Sequence, residues 1–217
     1  MNRDPEYVRD MLRLYAVTDR RWLGSHTLEE QVEQAILGGA TCVQLREKDL
    51  PRNQFYTQAL VLRALCSRYG VPLIINDDVE IALAVKADGV HVGQRDMRLR
   101  DVRKKAGDHL IIGVTAKTVE QALAAQADGA DYLGSGAVFG TATKQDALPM
   151  SLDLLGRITS SVSIPVVAIG GIDEHNIGRL VGTGVAGAAV VSGIFASQNI
   201  EETCRILRAQ AEQIVKR

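Results

Sequence analysis

Short apolar runs rich in β-branched residues alternate with amphipathic segments along almost the whole chain. Each apolar run is only four or five residues long and lacks strict alternation, as expected of strands buried on both faces. The pattern predicts eight strands: Leu14–Thr18, Cys42–Leu45, Pro72–Ile75, Gly89–Val92, Leu110–Val114, Tyr132–Ser135, Val166–Ile169 and Ala188–Val191. Helical periodicity fills the intervals at Thr27–Leu37, Pro51–Tyr69, Asp78–Lys86, Leu99–Lys105, Thr118–Ala127, Leu152–Ser160, Asp173–Gly182 and Glu201–Lys216. Thr27 followed by Glu30 is a capping-box signature, and Gly70 is a helix stop. Strands separated by helices pair in parallel. Eight such units predict a single (β/α)8 barrel over residues 1–217, with a short extra N-terminal helix, Asp4–Leu12, closing its bottom. A doubly wound open sheet competes, but no Gly-x-Gly-x-x-Gly fingerprint follows the first strand.

An internal echo supports the repeated architecture. Residues Ile81–Val90 and Gln121–Ala130 share the pattern Ala-Leu-Ala ending in Ala-Asp-Gly, forty positions apart. Each reads as a helix end, an Ala-Asp-Gly turn and a strand. These turns lie where strands begin, so they are expected to serve stability rather than chemistry.

The polar clusters lie at the other ends of the strands. A charge cannot enter the core without a heavy desolvation cost, so these side chains must gather at the barrel mouth. In chain order they are Thr18-Asp19, Arg46-Glu47-Lys48, Asn76-Asp77-Asp78, Gly93-Gln94-Arg95-Asp96, Thr115 with Lys117, the loop Ser135–Lys144, Gly170-Gly171-Ile172 and Ser192-Gly193. Cations beside carboxylates suit a diphosphate held by side chains and a divalent metal. Asp77 and Asp96 could share Mg²⁺, or Asp96 could cap the next helix, as Asp78 could. Arg46 and Lys48 could equally form a solvated charge pair with Glu47 and Asp49. Gly170-Gly171 and Ser192-Gly193 suit backbone contact with a phosphate, or are plain turn glycines with Ser192 as a cap. Lys144 sits in a Gly/Thr-rich loop suited to closing over an anion. His91, between Val90 and Val92, reads either as a satisfied barrel-interior histidine or as a catalytic one.

Charge and composition narrow the function. The 217 residues carry a net charge of −1, which gives no basic field for nucleic acid or anionic membrane. No run of eighteen apolar residues and no signal peptide is present, so a cytoplasmic location is expected. Three cysteines, Cys42, Cys66 and Cys204, lack CxxC or zinc spacing and read as free packing thiols. The expected partners are small molecules, and a homo-oligomer is allowed.

The motifs Tyr15-Ala-Val-Thr-Asp19, Gln44-Leu-Arg-Glu-Lys48, Ile75-Asn-Asp-Asp78, Gly89–Asp96, Gly113-Val-Thr-Ala116, Gly129–Gly134, Thr141-Ala-Thr-Lys144 and Ile169-Gly-Gly-Ile172 together resemble thiamine-phosphate synthase. They run in order across nearly the whole chain. The resemblance implies a transferase that joins 4-amino-2-methyl-5-(diphosphooxymethyl)pyrimidine to a thiazole phosphate, or to its carboxylated form, releasing diphosphate. It implies that Gln44, Arg46, Lys48 and Asn76 hold the pyrimidine diphosphate, and that Asp77 and Asp96 hold Mg²⁺. It assigns Thr115, where the family usually has Ser, to the pyrimidine side, and Lys144 to the leaving diphosphate. Thr141 and Thr143, with Gly171, Val191 and Ser192, fall to the thiazole phosphate. Gly140 stands where the family often has proline. A thiazole tautomerase-like enzyme, another phosphate-binding barrel enzyme and a non-catalytic thiazole-phosphate-binding regulator are the competing readings. The first would not need the cations and the carboxylate pair together, and the second would need an acid–base pair.

Overall fold

The computed structural model describes residues 3–94, 96–140 and 149–215. Its eight strands are β1 (Leu14–Val17), β2 (Cys42–Leu45), β3 (Leu73–Asn76), β4 (Gly89–Val92), β5 (Ile111–Thr115), β6 (Tyr132–Gly136), β7 (Val166–Ile169) and β8 (Gly187–Val190). All pair in parallel with their sequence neighbours, and β8 closes on β1, giving a closed (β/α)8 barrel. The helices are α1 (Pro5–Met11), α2 (Leu28–Leu37), α3 (Arg52–Tyr69), α4 (Val79–Ala84), α5 (Leu99–Ala106), α6 (Val119–Ala127), α7 (Leu152–Ser161), α8 (Ser192–Phe195) and α9 (Ile200–Val215). The Thr27 capping box on α2 is formed in both directions.

Two hydrophobic layers result. Outward strand residues such as Val43, Leu45, Ile75 and Leu133 pack against the helices. Inward residues, including Tyr15, Val17, Ile74, Ile111, Tyr132, Val167 and Ala189, fill the barrel, and Val8, Met11 and Leu12 from α1 and the turn after it plug its lower end.

The helix expected at Asp173–Gly182 is instead a single 3-10 turn, Ile177–Leu180. Side chains there take the backbone groups that a helix would use. Asn176 Oδ1 accepts from the Asp173 N–H, Asp173 Oδ1 accepts from the His175 N–H, and Asn176 Nδ2 donates to the Gly171 carbonyl. The short helix α8 was not legible in the sequence. The three cysteines are buried and free, as expected.

The forty-residue echo is displaced by three positions in space. After α4 the left-handed residue is Lys86 and β4 starts at Gly89, whereas after α6 the left-handed residue is Gly129 and β6 starts at Tyr132. Asp88 therefore corresponds to Asp131, not to Asp128. Asp88 accepts from the Leu73 N–H at 2.8 Å and Asp131 from the Ile112 N–H at 2.7 Å, so each carboxylate latches onto the previous strand. Thr41 does the same for Leu14 at 2.9 Å. Asp128 instead caps the end of α6 and pairs with Arg100.

Candidate active site

The strand ends open into a cavity of about 160 Å³. Of the residues singled out in the sequence, Gln44, Arg46, Lys48, Asn76, Asp77, Asp96, Thr115, Gly171, Val191 and Ser192 all line it. Thr141, Thr143 and Lys144 lie outside the described residues. Thr18 and Asp19 turn away from the cavity. The Thr18 hydroxyl accepts from the Arg46 N–H at 3.0 Å, and Asp19 caps a 3-10 turn while gripping Arg21 at 2.6 Å. Burial pushes the Asp19 carboxyl up, but the hydrogen bonds and charge of Arg21 outweigh it, so its pKa is held below the ordinary range.

The cationic side of the mouth rests on β2. Glu47 is ion-paired with Arg20 at 2.7 Å and feels the Arg46 charge only as a smaller, longer-range contribution. Among the described residues the Arg46 guanidinium makes no ion pair within 4.0 Å, and it faces the cavity. Lys48 is ion-paired with Asp77. This outcome contradicts the alternative in which Arg46 and Lys48 are neutralised by Glu47 and Asp49.

The carboxylate side is built by β3 and the loop after β4. Asp77 is left-handed, with φ 65°, an uncommon conformation for a residue with a side chain and one that concentrates at functional sites. Its N–H donates to the His91 carbonyl, which fixes the turn. Burial, and after it the adjacent Asp96, push the Asp77 carboxyl above the ordinary range, while Lys48 pulls it back only in part. Asp96 accepts from the Gly93 N–H at 2.7 Å, and the residue preceding α5 is Arg98, so Asp96 is not a helix cap. Asp78 is the cap of α4, as its alternative reading had it. The Asn76 amide nitrogen is buried against the cavity and has no hydrogen-bond partner among the described residues.

The floor contains two tyrosines, from β1 and β6, to which the sequence assigned no individual role. Tyr15 and Tyr132 are fully buried, and their hydroxyls lie 3.0 Å apart. Gln44 Nε2 donates to the Tyr15 hydroxyl at 2.7 Å. His91 Nδ1 lies 3.1 Å from the Tyr132 hydroxyl, and its Nε2 lies 3.1 Å from the Thr115 hydroxyl. His91 is thus an interior histidine engaged on both ring nitrogens, yet it also lines the cavity. Register explains the reach. Gly113 pairs with His91 on one side and with Tyr132 on the other, and a Cβ at Gly113 would fall on the Tyr132 ring. Gly134 leaves room for His91 in the same way, since a Cβ there would lie 3.0 Å from its Cε1. The available signal was a glycine, Gly113, in register with both His91 and Tyr132.

The far wall carries Gly170 and Gly171, whose left-handed turn is tied by Asn176, and Ser192 in the first turn of α8. Phe139, at the edge of the described β6–α7 loop, is covered by the Arg179 guanidinium at 4.8 Å. Lys117 adds a further cation at the rim. Val17, Val167, Ile169 and Ala189 supply the apolar lining.

A family model described as thiamine monophosphate synthase matches residues 14–194. A thiamine-phosphate synthase of Clostridium acetobutylicum is 49% identical over 195 residues, covering 90% of this chain and 92% of that protein. One from Ruminiclostridium cellulolyticum is 51% identical over 194 residues, covering 89% and 92%. Among solved structures, a thiamine phosphate pyrophosphorylase from Pyrococcus furiosus superposes with TM-score 0.89 at 40% identity, covering 96% of this chain and 99% of that one. A 3-hexulose-6-phosphate synthase, at 16% identity and TM-score 0.67, shares the fold alone.

Proposed function

Because the chain belongs to the thiamine monophosphate synthase family, we propose that its mouth joins a pyrimidine diphosphate to a thiazole phosphate, or to the carboxylated thiazole phosphate. It is a transferase of thiamine biosynthesis. The observation that carries the substrate assignment is the meeting of Arg46, without an ion pair among the described residues, and a paired Lys48 with the Asp77–Asp96 carboxylates around one cavity.

In this reading Arg46 and Lys48 bind the diphosphate, and the Asn76 amide, without a partner among the described residues, adds a donor. Gln44 and Thr115 orient the pyrimidine on the floor. The C–O bond to the diphosphate breaks first, and the electron pair leaves with the diphosphate. The resulting pyrimidinylmethyl cation is captured by the lone pair of the thiazole nitrogen, so no general base is required. With the carboxylated thiazole, CO₂ is lost afterwards. Charge developing on the leaving diphosphate is met by Arg46, Lys48 and Lys144, the type of preorganised stabilisation that supplies most catalysis of this kind. Val17, Val167, Ile169 and Ala189 keep competing water from the cation. Gly171, Val191 and Ser192, with Thr141 and Thr143, receive the thiazole phosphate.

Asp77 and Asp96 would hold Mg²⁺. The donor set fits: Mg²⁺ takes one or two carboxylates and completes its octahedron with phosphate oxygens and water. Among the described residues no group of three or more His, Cys, Asp or Glu gathers as a metal cage. Lys48, ion-paired with Asp77, supports the reading that this carboxylate faces positive charge. When bound, Mg²⁺ supplies positive charge to the diphosphate oxygens.

The test mixes the purified protein with the pyrimidine diphosphate, thiazole phosphate and Mg²⁺ and measures thiamine phosphate, with EDTA as control. Metal-dependent product is expected. Binding of both substrates without product would overturn the reading in favour of a regulator or a tautomerase-like enzyme.

A further inference from the structure

The floor residues form one continuous hydrogen-bonded chain, Gln44–Tyr15–Tyr132–His91–Thr115, drawn from β2, β1, β6, β4 and β5. Its two ends are the groups assigned above to the pyrimidine, and its middle touches no substrate in that reading. Each phenol has one hydrogen to give, and a neutral imidazole has one donor and one acceptor nitrogen. This arithmetic fixes the direction of the whole chain once one end is set.

The Tyr15 oxygen already accepts from Gln44, so its hydrogen goes to its other neighbour, the Tyr132 oxygen at 3.0 Å. Tyr132 then gives its own hydrogen to His91 Nδ1 at 3.1 Å. A ring accepting at Nδ1 carries its hydrogen on Nε2, which donates to the Thr115 oxygen at 3.1 Å. The Thr115 hydroxyl has then accepted once and has its hydrogen left for the cavity. At the other end Gln44 keeps its carbonyl oxygen and its second amide hydrogen. The opposite sense would leave the Tyr15 hydrogen without an acceptor in a fully buried site, which is costly. Burial also drives both phenol pKa values well up, so neither hydrogen is lost near neutral pH.

We propose that Tyr15, Tyr132 and His91 are positioning residues that hold His91 in its Nε2–H tautomer, and thereby set Thr115 as a donor and Gln44 as a paired acceptor and donor for an aminopyrimidine. Such a ring offers acceptor nitrogens beside a donor amino group, the complement of what the two ends present. A site built to hydrogen-bond a particular edge discriminates strongly, because the wrong edge leaves buried groups unpaired.

This inference rests on the substrate reading above for its ligand, but its first test does not. Long-range ¹H–¹⁵N spectra of the ligand-free protein report which His91 nitrogen carries hydrogen. The chain has four histidines, and the His91 signal is identified by its loss in His91→Gln. The Nε2–H tautomer is expected. The Nδ1–H tautomer, or hydrogen on both nitrogens, overturns the proposal whatever the enzyme turns over. The second test is Tyr132→Phe, which keeps the ring against Gly113 and cuts the chain at its centre. It is expected to move His91 to a tautomer mixture. It should also raise KM for the pyrimidine diphosphate about tenfold, the equivalent of about 1.4 kcal/mol, with KM for thiazole phosphate unchanged. An unchanged tautomer and unchanged KM overturn the proposal. If Tyr132→Phe fails to fold, Tyr15→Phe cuts the chain one link away with the same expected readouts.

Discussion

A methyl group added at Gly171 probes the far wall with little other change. The residue has φ 65°, a conformation that costs a side-chain-bearing residue roughly 1–2 kcal/mol. An alanine Cβ there would also overlap the Gly140 carbonyl oxygen and lie 2.8 Å from the Phe139 carbonyl oxygen. These are backbone atoms that cannot rotate away, so the overpacking adds roughly 1–3 kcal/mol. Restricting the unfolded chain returns only about 0.4–1 kcal/mol. The net loss is about 2–4 kcal/mol, which for a chain of this size lowers Tm by roughly 5–15 °C. Gly182→Ala is the control: its φ is 82°, but nothing lies within 4 Å of the new Cβ. It should carry the conformational cost alone, with a Tm change below roughly 4 °C. Thermal unfolding of the two variants side by side separates crowding from backbone strain. In the same Gly171→Ala protein, KM for thiazole phosphate should rise more than KM for the pyrimidine diphosphate. If Gly171→Ala melts no lower than Gly182→Ala, the close approach of the β7 turn to Phe139 and Gly140 is refuted.

Two further outcomes are expected. Arg46→Ala should reduce turnover on the order of 10²–10³-fold, the usual loss for one charge-stabilising donor, with Tm nearly unchanged; a large drop in Tm would mean that Arg46 is structural. Asp77→Asn should abolish Mg²⁺-dependent turnover yet raise the Tm of the metal-free protein. The sign follows from the raised Asp77 pKa: its ionisation is opposed in the fold, so the native state loses stability as pH rises through the acidic range in which that carboxyl titrates. The Tm advantage of Asp77→Asn should therefore grow with pH over that range and level off near neutrality. A constant difference across pH would sink the claim.

Much of the fold was legible because each strand is a short apolar run ended by polar residues or glycine, and α2, α4, α6 and α7 have readable caps. The closed barrel followed from that alternation. The failures have physical causes. The Asp173–Gly182 segment has helical periodicity, but Asp173 and Asn176 hold its backbone in turns. The Ala-Asp-Gly echo was matched by letters rather than by hydrogen bonds, and so equated Asp88 with Asp128 although the latch is Asp131. At the mouth, the charged residues just after β2 and β3 announced themselves. Tyr15 and Tyr132 did not, because a phenol inside an apolar run scores as core, and its hydroxyl gains meaning only from the residue across the barrel.

The latches at the bottom of the barrel bear on how the ring is assembled. Leu73 to Asp88 spans 15 positions, Ile112 to Asp131 spans 19, and Leu14 to Thr41 spans 27, so each tie closes a short loop. Loop-closure entropy grows only with the logarithm of length, yet short local ties can form before distant ones, and they set the stagger of neighbouring strands in advance. The pairing most distant in sequence is that of β1 with β8, where Leu14 meets Ala188. That seam is the longest closure in sequence, although it costs only modestly more than any one local tie. There α9 packs across α2, β1 and β8, and helix and seam complete the circle together.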